Sequence, residues 1–338
     1  AQASYNFQPQ NVINDYTILG FTDVNLGDKN FVQTGSVGVT RPLGYAKIGM
    51  NSTVAGPGGF VKARFITVGS MSNVPTRIYS PVTVTLPNMQ VNSTSTTGLS
   101  DLSIPNNTTV TKTGNYKNVT IGTNCNVTFT TGTIFGSVTI GRSSQVKFNA
   151  NNTGVLNVNS INMADGTDAS PTKLLFASNI AVRVKTAVNV GKSSLVNPTG
   201  GYKAVFYIGG SEFRVMPGGN VTVNASIFAP NGTIRVEGDA VKNTYMKGFN
   251  IASRVVSTNK NIYWNQFDCL NPSAKTIDVE NVVAKEIDPV RPEVALFDVK
   301  AYPNPSNYQF TLELEGGNAD KIEIEVYDMQ GRHIKHIE

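Results

Sequence analysis

Val119-Thr120-Ile121-Gly122, four residues, Val127, one residue and Phe129 recur as Val138-Thr139-Ile140-Gly141, four residues, Val146, one residue and Phe148. Every matched position is offset by 19 residues. A looser form, an apolar residue, Gly, four residues and Val, appears as Leu26-Gly27 to Val32, Ile48-Gly49 to Val54, Val68-Gly69 to Val74 and Val190-Gly191 to Val196. A period near 20 is the signature of a solenoid. The unit is too short for a pair of helices. It holds short alternating strands bounded by Gly, Asn and Ser turns, which suits one coil of a parallel β-helix. Val, Ile and Phe are expected to point inward and stack on their counterparts in the next coil. The Gly is expected at the bend, where positive φ is often needed. About a dozen coils, at roughly 4.8 Å each, would make a rod on the order of 60 Å long.

The period lapses in two places. Residues 80–113 are rich in Thr, Asn and Ser and read as a loop or a poorly conforming coil. Ala164 to Thr172 reads as an excursion loop, rich in Asp, Gly and Ser with Pro171. Strand patterns resume at Ala204 to Ile208, Asn220 to Asn224, Thr233 to Val236 and Asn261 to Trp264. Residues 271–296 carry Pro272, Pro289 and Pro292, mixed charges and no sustained alternation, and read as a linker. The predicted organisation is a β-solenoid body over 1–270, the linker, and a separate module over 297–338.

Only 15% of the 338 residues are charged, while 40% are apolar. That balance fits a turn-rich β protein and argues against disorder. Charge is split unevenly: residues 1–270 carry 21 Lys and Arg against 10 Asp and Glu, and residues 271–338 carry 7 against 13. A basic body would favour anionic partners such as lipopolysaccharide, capsule or extracellular DNA, while scattered solubilising charge is the simpler reading. No basic cluster with interleaved aromatics appears, so nucleic acid is not an expected partner. No apolar run of about 18 residues exists, so no membrane-spanning helix is expected. The start, Ala1-Gln2-Ala3, suits a mature N-terminus after signal cleavage. Cys125 and Cys269 are a candidate disulfide in an oxidising compartment, with two separate buried thiols as the alternative.

The only histidines are His333 and His336, so the body has none for a Ser-His or Cys-His nucleophile or for a metal. Of its ten acids only two sets cluster: Asp165 with Asp168, and Glu237 with Asp239. Either offers oxygen ligands to Ca²⁺, but two carboxylates each is a thin set, and acidic turn residues are the simpler reading. Most glycosidases need two nearby carboxylates, and no such pair stands out. No cofactor and no catalytic residue is assigned. Tyr202, Tyr207, Tyr245, Tyr263 and Trp264 are candidates for a sugar-stacking surface, against core or coil-stacking roles.

The end of the chain runs Tyr302-Pro303-Asn304-Pro305, then Phe310-Thr311-Leu312, then Tyr327-Asp328-Met329-Gln330-Gly331-Arg332. The two prolines impose an extended, non-helical entry, and the flanking segments alternate like strands. That order resembles the C-terminal sorting domain of proteins exported by the type IX secretion system of Bacteroidota. The resemblance covers about an eighth of the chain. The family's domain usually continues for further strands beyond the point where this sequence stops. It implies a small β-sandwich that carries a sorting signal in Tyr302, Pro303, Asn304, Pro305, Phe310, Asp328, Gly331 and Arg332. The implied partners are the type IX translocon and its outer-membrane shuttle protein, and the implied destination is the cell surface or medium. More weakly, Ile227 to Val236 and Lys247 to Ser253 resemble coils of exported bacterial β-helix adhesins and surface anchors. The sequence expectation is therefore an all-β protein, a parallel β-helix body followed by a small β-sandwich, acting as a non-enzymatic structural or adhesive protein. Gliding motility or surface adhesion is the setting that this resemblance suggests, and surface polysaccharide is a candidate partner. The alternatives are a β-helix polysaccharide lyase or hydrolase, and an accessory protein that stays with the export or motility machinery.

Overall fold

The structure is a computed structural model that describes residues 15–56, 58–84, 90, 92–149, 154–199 and 201–266. In the C-terminal part it describes the strands 298–302, 311–315, 324–327 and 333–337. The described residues hold 29 strands and no helix, so there is no helix long and apolar enough to cross a membrane. The chain divides into two compact units, Ala1–Asp278 and Val279–Glu338. The predicted linker lies outside the described residues.

The first unit is a parallel β-solenoid of about 11 coils. Each full coil contributes to three faces. A 15-stranded sheet supplies two of them, because its long strands bend across a corner. Tyr16–Leu26, for instance, pairs through residues 16–20 with Ser36–Val39 and through residues 23–26 with Tyr45–Ile48. These two halves of the sheet are called the first and second arm. A 10-stranded parallel sheet supplies the third face. Alternation sends every second side chain inward. Val127, Phe129, Val138, Ile140, Val146 and Phe148, the matched positions of the clearest repeat, are all buried in one core. Like residues stack on like: Val127 sits beside Val146 and Phe129 beside Phe148, with the two rings 5.1 Å apart and nearly parallel.

The looser repeat is the corner between the second arm and the third face. Its Gly is required for a reason different from the one expected. Gly27, Gly49, Gly69, Gly122, Gly141 and Gly191 do not adopt positive φ. That conformation falls two residues later, on Lys29, Asn51, Met71, Asn124, Ser143 and Ser193, at φ of 47–57°. The glycines are needed because the backbone of the neighbouring coil leaves no room for a Cβ. One on Gly69 would lie 2.6 Å from Met50 N, one on Gly191 2.7 Å from Ala164 C, and one on Gly141 would overlap the Gly122 carbonyl.

Three residues after each Gly comes a small polar side chain: Asn30, Ser52, Ser72, Cys125, Ser144 or Ser194. These form a polar thread inside the corner. Ser144 Oγ donates to Gly122 O at 2.7 Å and accepts from Cys125 N at 2.9 Å. Ser72 Oγ donates to Gly49 O at 2.7 Å and accepts from Ser52 N at 3.1 Å. Each hydroxyl thus satisfies backbone groups that the tight turn would otherwise leave buried and unpaired.

Coil order in space is not chain order. Along the third face the strands follow as Thr109–Lys112, Asn126–Phe129, Gln145–Phe148, Thr172–Phe176, Ser194–Val196, Val221–Asn224, Thr244–Lys247 and Ile262–Asn265, and then Asn30–Val32 and Thr53–Val54. The chain enters inside the rod and winds out to one end at Arg77–Ile78. It resumes at the other end with Leu102–Ile104, and winds back until its last coil docks against its first. Tyr16–Leu26 therefore pairs with Asn250–Thr258. The junction is strongly bonded. Asn30 Oδ1 accepts from Trp264 Nε1 at 2.9 Å and from Ser257 Oγ at 2.9 Å. Arg254 Nε meets both carboxylate oxygens of Asp23 at 3.0 and 3.1 Å.

This topology explains the lapse at residues 80–113. Leu102–Ile104 and Thr109–Lys112 are a true terminal coil. The described residues between Ile78 and Leu102, 79–84, 90 and 92–101, belong to a return strap. Val82 N donates to Val39 O at 2.8 Å, and Gln90 Oε1 accepts from Arg183 Nε and Nη2 at 3.1 and 2.9 Å, so the strap is fixed to two coils well separated along the rod. Under it lies a second apolar cluster on the outside of the first arm: Tyr16, Leu19, Val82, Phe228 and Ile251, flanked by Phe60, Val84 and Tyr207. Burial, with some help from the charge of Asp15, pushes the Tyr16 hydroxyl up to about 12.

The described strands of the second unit form two antiparallel pairs, Asp298–Tyr302 with Thr311–Glu315 and Ile324–Tyr327 with His333–Ile337.

Candidate functional sites on the solenoid faces

The two acidic sets meet different fates. Asp168, from the excursion loop, and Asp239, from a later coil, converge at one corner on Lys242. Asp168 Oδ2 lies 2.7 Å from Lys242 Nζ, while its Oδ1 accepts from Ser193 Oγ at 2.8 Å and Asn220 N at 3.1 Å. Asp239 Oδ1 accepts from the backbone of Val241 and Lys242 at 2.7 and 2.9 Å. Asp165 pairs with Lys192 at 3.5 Å. Glu237 lies on the second arm and pairs with Arg214 at 2.8 Å. The carboxylates nominated for Ca²⁺ are thus held by ammonium, guanidinium and N–H donors. Among the described residues no group of three or more His, Cys, Asp or Glu gathers as a ligand set.

Hydrogen bonds from Lys242, then Ser193 and then Asn220 lower the Asp168 carboxyl from 3.8 to about 2. A pKa depressed by folding stabilises the native state at pH values above the ordinary 3.8, and that contribution disappears as pH falls through the folded value. Asp168→Asn is therefore expected to be less stable than the parent at neutral pH, with the gap closing towards pH 2. Urea denaturation of both proteins across that range measures it. A gap that does not change with pH would show that the carboxylate charge is irrelevant here.

The five aromatic candidates separate. Trp264 is fully buried, Tyr207 belongs to the cluster beneath the strap, and Tyr202 is exposed. Tyr245 and Tyr263 do form an outward column with Phe31 on the third face. Ring centroids are 5.1 and 5.0 Å apart and the planes 24° and 20° from parallel. That spacing is close to the coil repeat, so the rings stack on one another and both faces of Tyr263 are occupied. They present edges outward, whereas a sugar needs an open ring face. Of the two readings open for these aromatics, the coil-stacking one is therefore the one that Tyr245 and Tyr263 follow.

What the period did not reveal is the regularity of the outward second arm. Ser103, Thr120, Thr139, Asn162 and Asn189 are in register on five consecutive coils. Beside them run Asn118, Ser137 and Ser160. Asn189 Nδ2 donates to Asn162 Oδ1 at 2.8 Å, and Ser160 Oγ to Ser137 Oγ at 3.1 Å. Further along, the face becomes ionic, with Arg235–Glu212, Arg214–Glu237 and Arg254–Asp23 pairs at 2.8, 2.8 and 3.0 Å. The signal was present in the outward positions of each strand, which a search for inward apolar residues passes over.

Cys125 is buried and takes the place of a serine in the polar thread, its thiol donating to Pro105 O at 3.1 Å. Cys269 lies outside the described residues. Of the sorting-signal positions, Tyr302 sits in a strand opposite Thr311. Pro303, Asn304, Pro305, Phe310, Asp328, Gly331 and Arg332 lie outside the described residues.

No curated protein sequence matches the chain. Among solved structures it is similar to an ice-binding protein from an Antarctic biological consortium, at 13% identity and a TM-score of 0.28, over 75% of this chain and 88% of that one. The strand pairing within the chain itself, not that loose likeness, defines the solenoid. Residues 300–338 match the secretion system C-terminal sorting domain. With that domain behind a β-solenoid body, the chain is a cargo of the type IX secretion system, exported across the outer membrane to the cell surface or the extracellular space.

Proposed function

We propose that the exported body is a non-enzymatic adhesive rod that binds polysaccharide through its second arm. The observation behind this reading is the pair of in-register polar columns, Ser103-Thr120-Thr139-Asn162-Asn189 and Asn118-Ser137-Ser160. A flat array of hydroxyls and amides, repeated once per coil, suits a repeating polyhydroxylated polymer, which offers hydrogen-bond groups at comparable intervals. Such contacts are individually modest, about 0.5–1.5 kcal/mol each, and gain strength by repetition along a rigid frame. The clustered carboxylates nearby are engaged by cations and backbone N–H groups, which favours adhesion over acid–base cleavage.

The test is affinity electrophoresis of the full chain through gels containing acidic and neutral polysaccharides, with reducing-end release assayed on the same polymers. Retardation without product release is expected, and Thr120→Ala with Thr139→Ala should weaken it about tenfold, since two of the repeated contacts are removed. Product release would overturn the reading in favour of a lyase or hydrolase. Retardation unaffected by the double substitution would move the binding face elsewhere.

A further inference from the structure

At the end of the rod opposite those columns, the second arm changes character. Eight large hydrophobic side chains are exposed among the described residues. Five of them, Leu43 (71%), Tyr45, Met50, Phe65 (53%) and Met71 (80%), lie on the second arm and its corners in two adjacent coils. They form a band rather than scattered points. Tyr45 is the register partner of Phe65, and Lys47 of Thr67. Phe65 N bonds to Gly44 O, which aligns Arg64 with the corner that carries Leu43, while Asn51 N bonds to Ser70 O, which aligns the corners of Met50 and Met71. Scattered exposed apolar residues need no explanation, but a contiguous band does.

The cations are the second observation. Residues 41–79 contain Arg41, Lys47, Arg64 and two further basic residues, and no acid. Arg41, Lys47 and Arg64 are exposed beside the band and take no part in the ion pairs of the described residues. The nearest acids belong to the preceding coil. Asp23, opposite Tyr45, is neutralised by Arg254, and Asp28 accepts a hydrogen bond from Met50 N at 2.8 Å.

We propose that this face docks on an anionic lipid bilayer. Apolar side chains would enter the interface between headgroups and acyl chains while the basic groups meet acidic headgroups, the combination that holds proteins on membrane surfaces. A second copy packed band against band is a poorer occupant, because the band is basic and would face its own charge. The inference is independent of polysaccharide binding: it uses other residues at the other end of the rod.

The experiment is co-sedimentation of the full chain with phosphatidylcholine vesicles, with or without phosphatidylglycerol. Binding to the acidic vesicles alone, weakened by salt, is expected. Arg41→Gln and Arg64→Gln should each reduce it about fivefold, and Phe65→Ser about tenfold. Tyr202→Ser, at an exposed aromatic elsewhere, should leave it unchanged. All four positions are on the surface, and unchanged thermal unfolding confirms that each variant is folded. Failure to bind acidic vesicles, equal binding to neutral ones, or equal binding by Phe65→Ser overturns the proposal. So does self-association without lipid that Phe65→Ser abolishes, which would make a second copy the occupant.

Discussion

Replacing Trp264 with alanine is expected to destabilise the body by about 3–5 kcal/mol, the range for removing a fully buried large aromatic. The indole is completely enclosed and its N–H donates to Asn30 Oδ1. Alanine would therefore open a cavity and also weaken the polar support of Asn30, whose own amide donates to Gly27 O at 2.9 Å. The position of this residue makes the consequence more than local. Trp264 lies opposite Val32, at the joint where the last coil meets the first, and the groups joined there are more than 200 residues apart in the chain. A contact of such separation closes a very long loop. Its loss should release the coils of residues 16–78 from those of residues 102–265, beyond lowering overall stability. Urea unfolding followed by fluorescence is unsuited to a variant lacking the sole Trp, so circular dichroism is the measurement, with limited proteolysis mapping which coils open first. Trp264→Phe, which keeps most of the volume and loses the N–H, should cost roughly 1–2 kcal/mol. A loss below about 1 kcal/mol for the alanine variant would mean that the joint is not formed as described.

The same joint marks the limit of what the sequence discloses. Coils, their inward residues and the corner glycines are legible because each repeats at nearly constant spacing, and periodicity reports local geometry. Coil order is not legible, because Leu26-Gly27 to Val32 and Val190-Gly191 to Val196 carry the same motif whichever coil they stack upon. The pairing of residues 16–26 with 250–258 is supported by side-chain contacts such as Asp23 with Arg254 and Asn30 with Trp264, which form no part of the repeated motif. The strap was legible only as a lapse of the period at residues 80–113, and its cover over the first arm was not. Tyr16 to Gly20 is buried at every position instead of alternating, the mark of a strand covered on both faces, and the partner that covers it lies more than 60 residues away. Among site residues, Tyr245 and Tyr263 were legible as candidates but neither in partner nor in orientation: only the ring geometry shows that they and Phe31 occupy one another's faces. The sorting domain was the most legible part, since the runs that carry its resemblance, Tyr302 to Pro305 and Tyr327 to Arg332, are each consecutive in the chain and are read without knowing how distant segments pack.

The corner glycines supply the sharpest test of this account, because two physical explanations predict opposite results. If Gly141 were present to adopt positive φ, then alanine there would cost about 1 kcal/mol of backbone strain and the neighbouring Ser143 would be an ordinary turn residue. In the structure the positive φ, 56°, belongs to Ser143. Gly141 stands where any Cβ overlaps the carbonyl of Gly122 in the adjacent coil. That obstacle is backbone, held by the Gly122 N to Ile104 O bond at 2.8 Å and by its own place in the next corner, so it cannot rotate away like a side chain. Gly141→Ala should accordingly separate two coils locally, weaken the Ser144 Oγ to Gly122 O bond, and destabilise the body by about 3 kcal/mol or more, at the upper end of overpacking penalties. Ser143→Gly, which relieves a left-handed serine but frees the unfolded chain, should change stability by less than about 1 kcal/mol in either direction. Chemical denaturation of the two variants beside the parent decides between the explanations. A large loss at Gly141 with near-neutrality at Ser143 places the constraint in coil-to-coil contact, and the same asymmetry should then recur at Gly69 with Met71 and at Gly191 with Ser193. Comparable small effects at both positions would return the constraint to local backbone conformation.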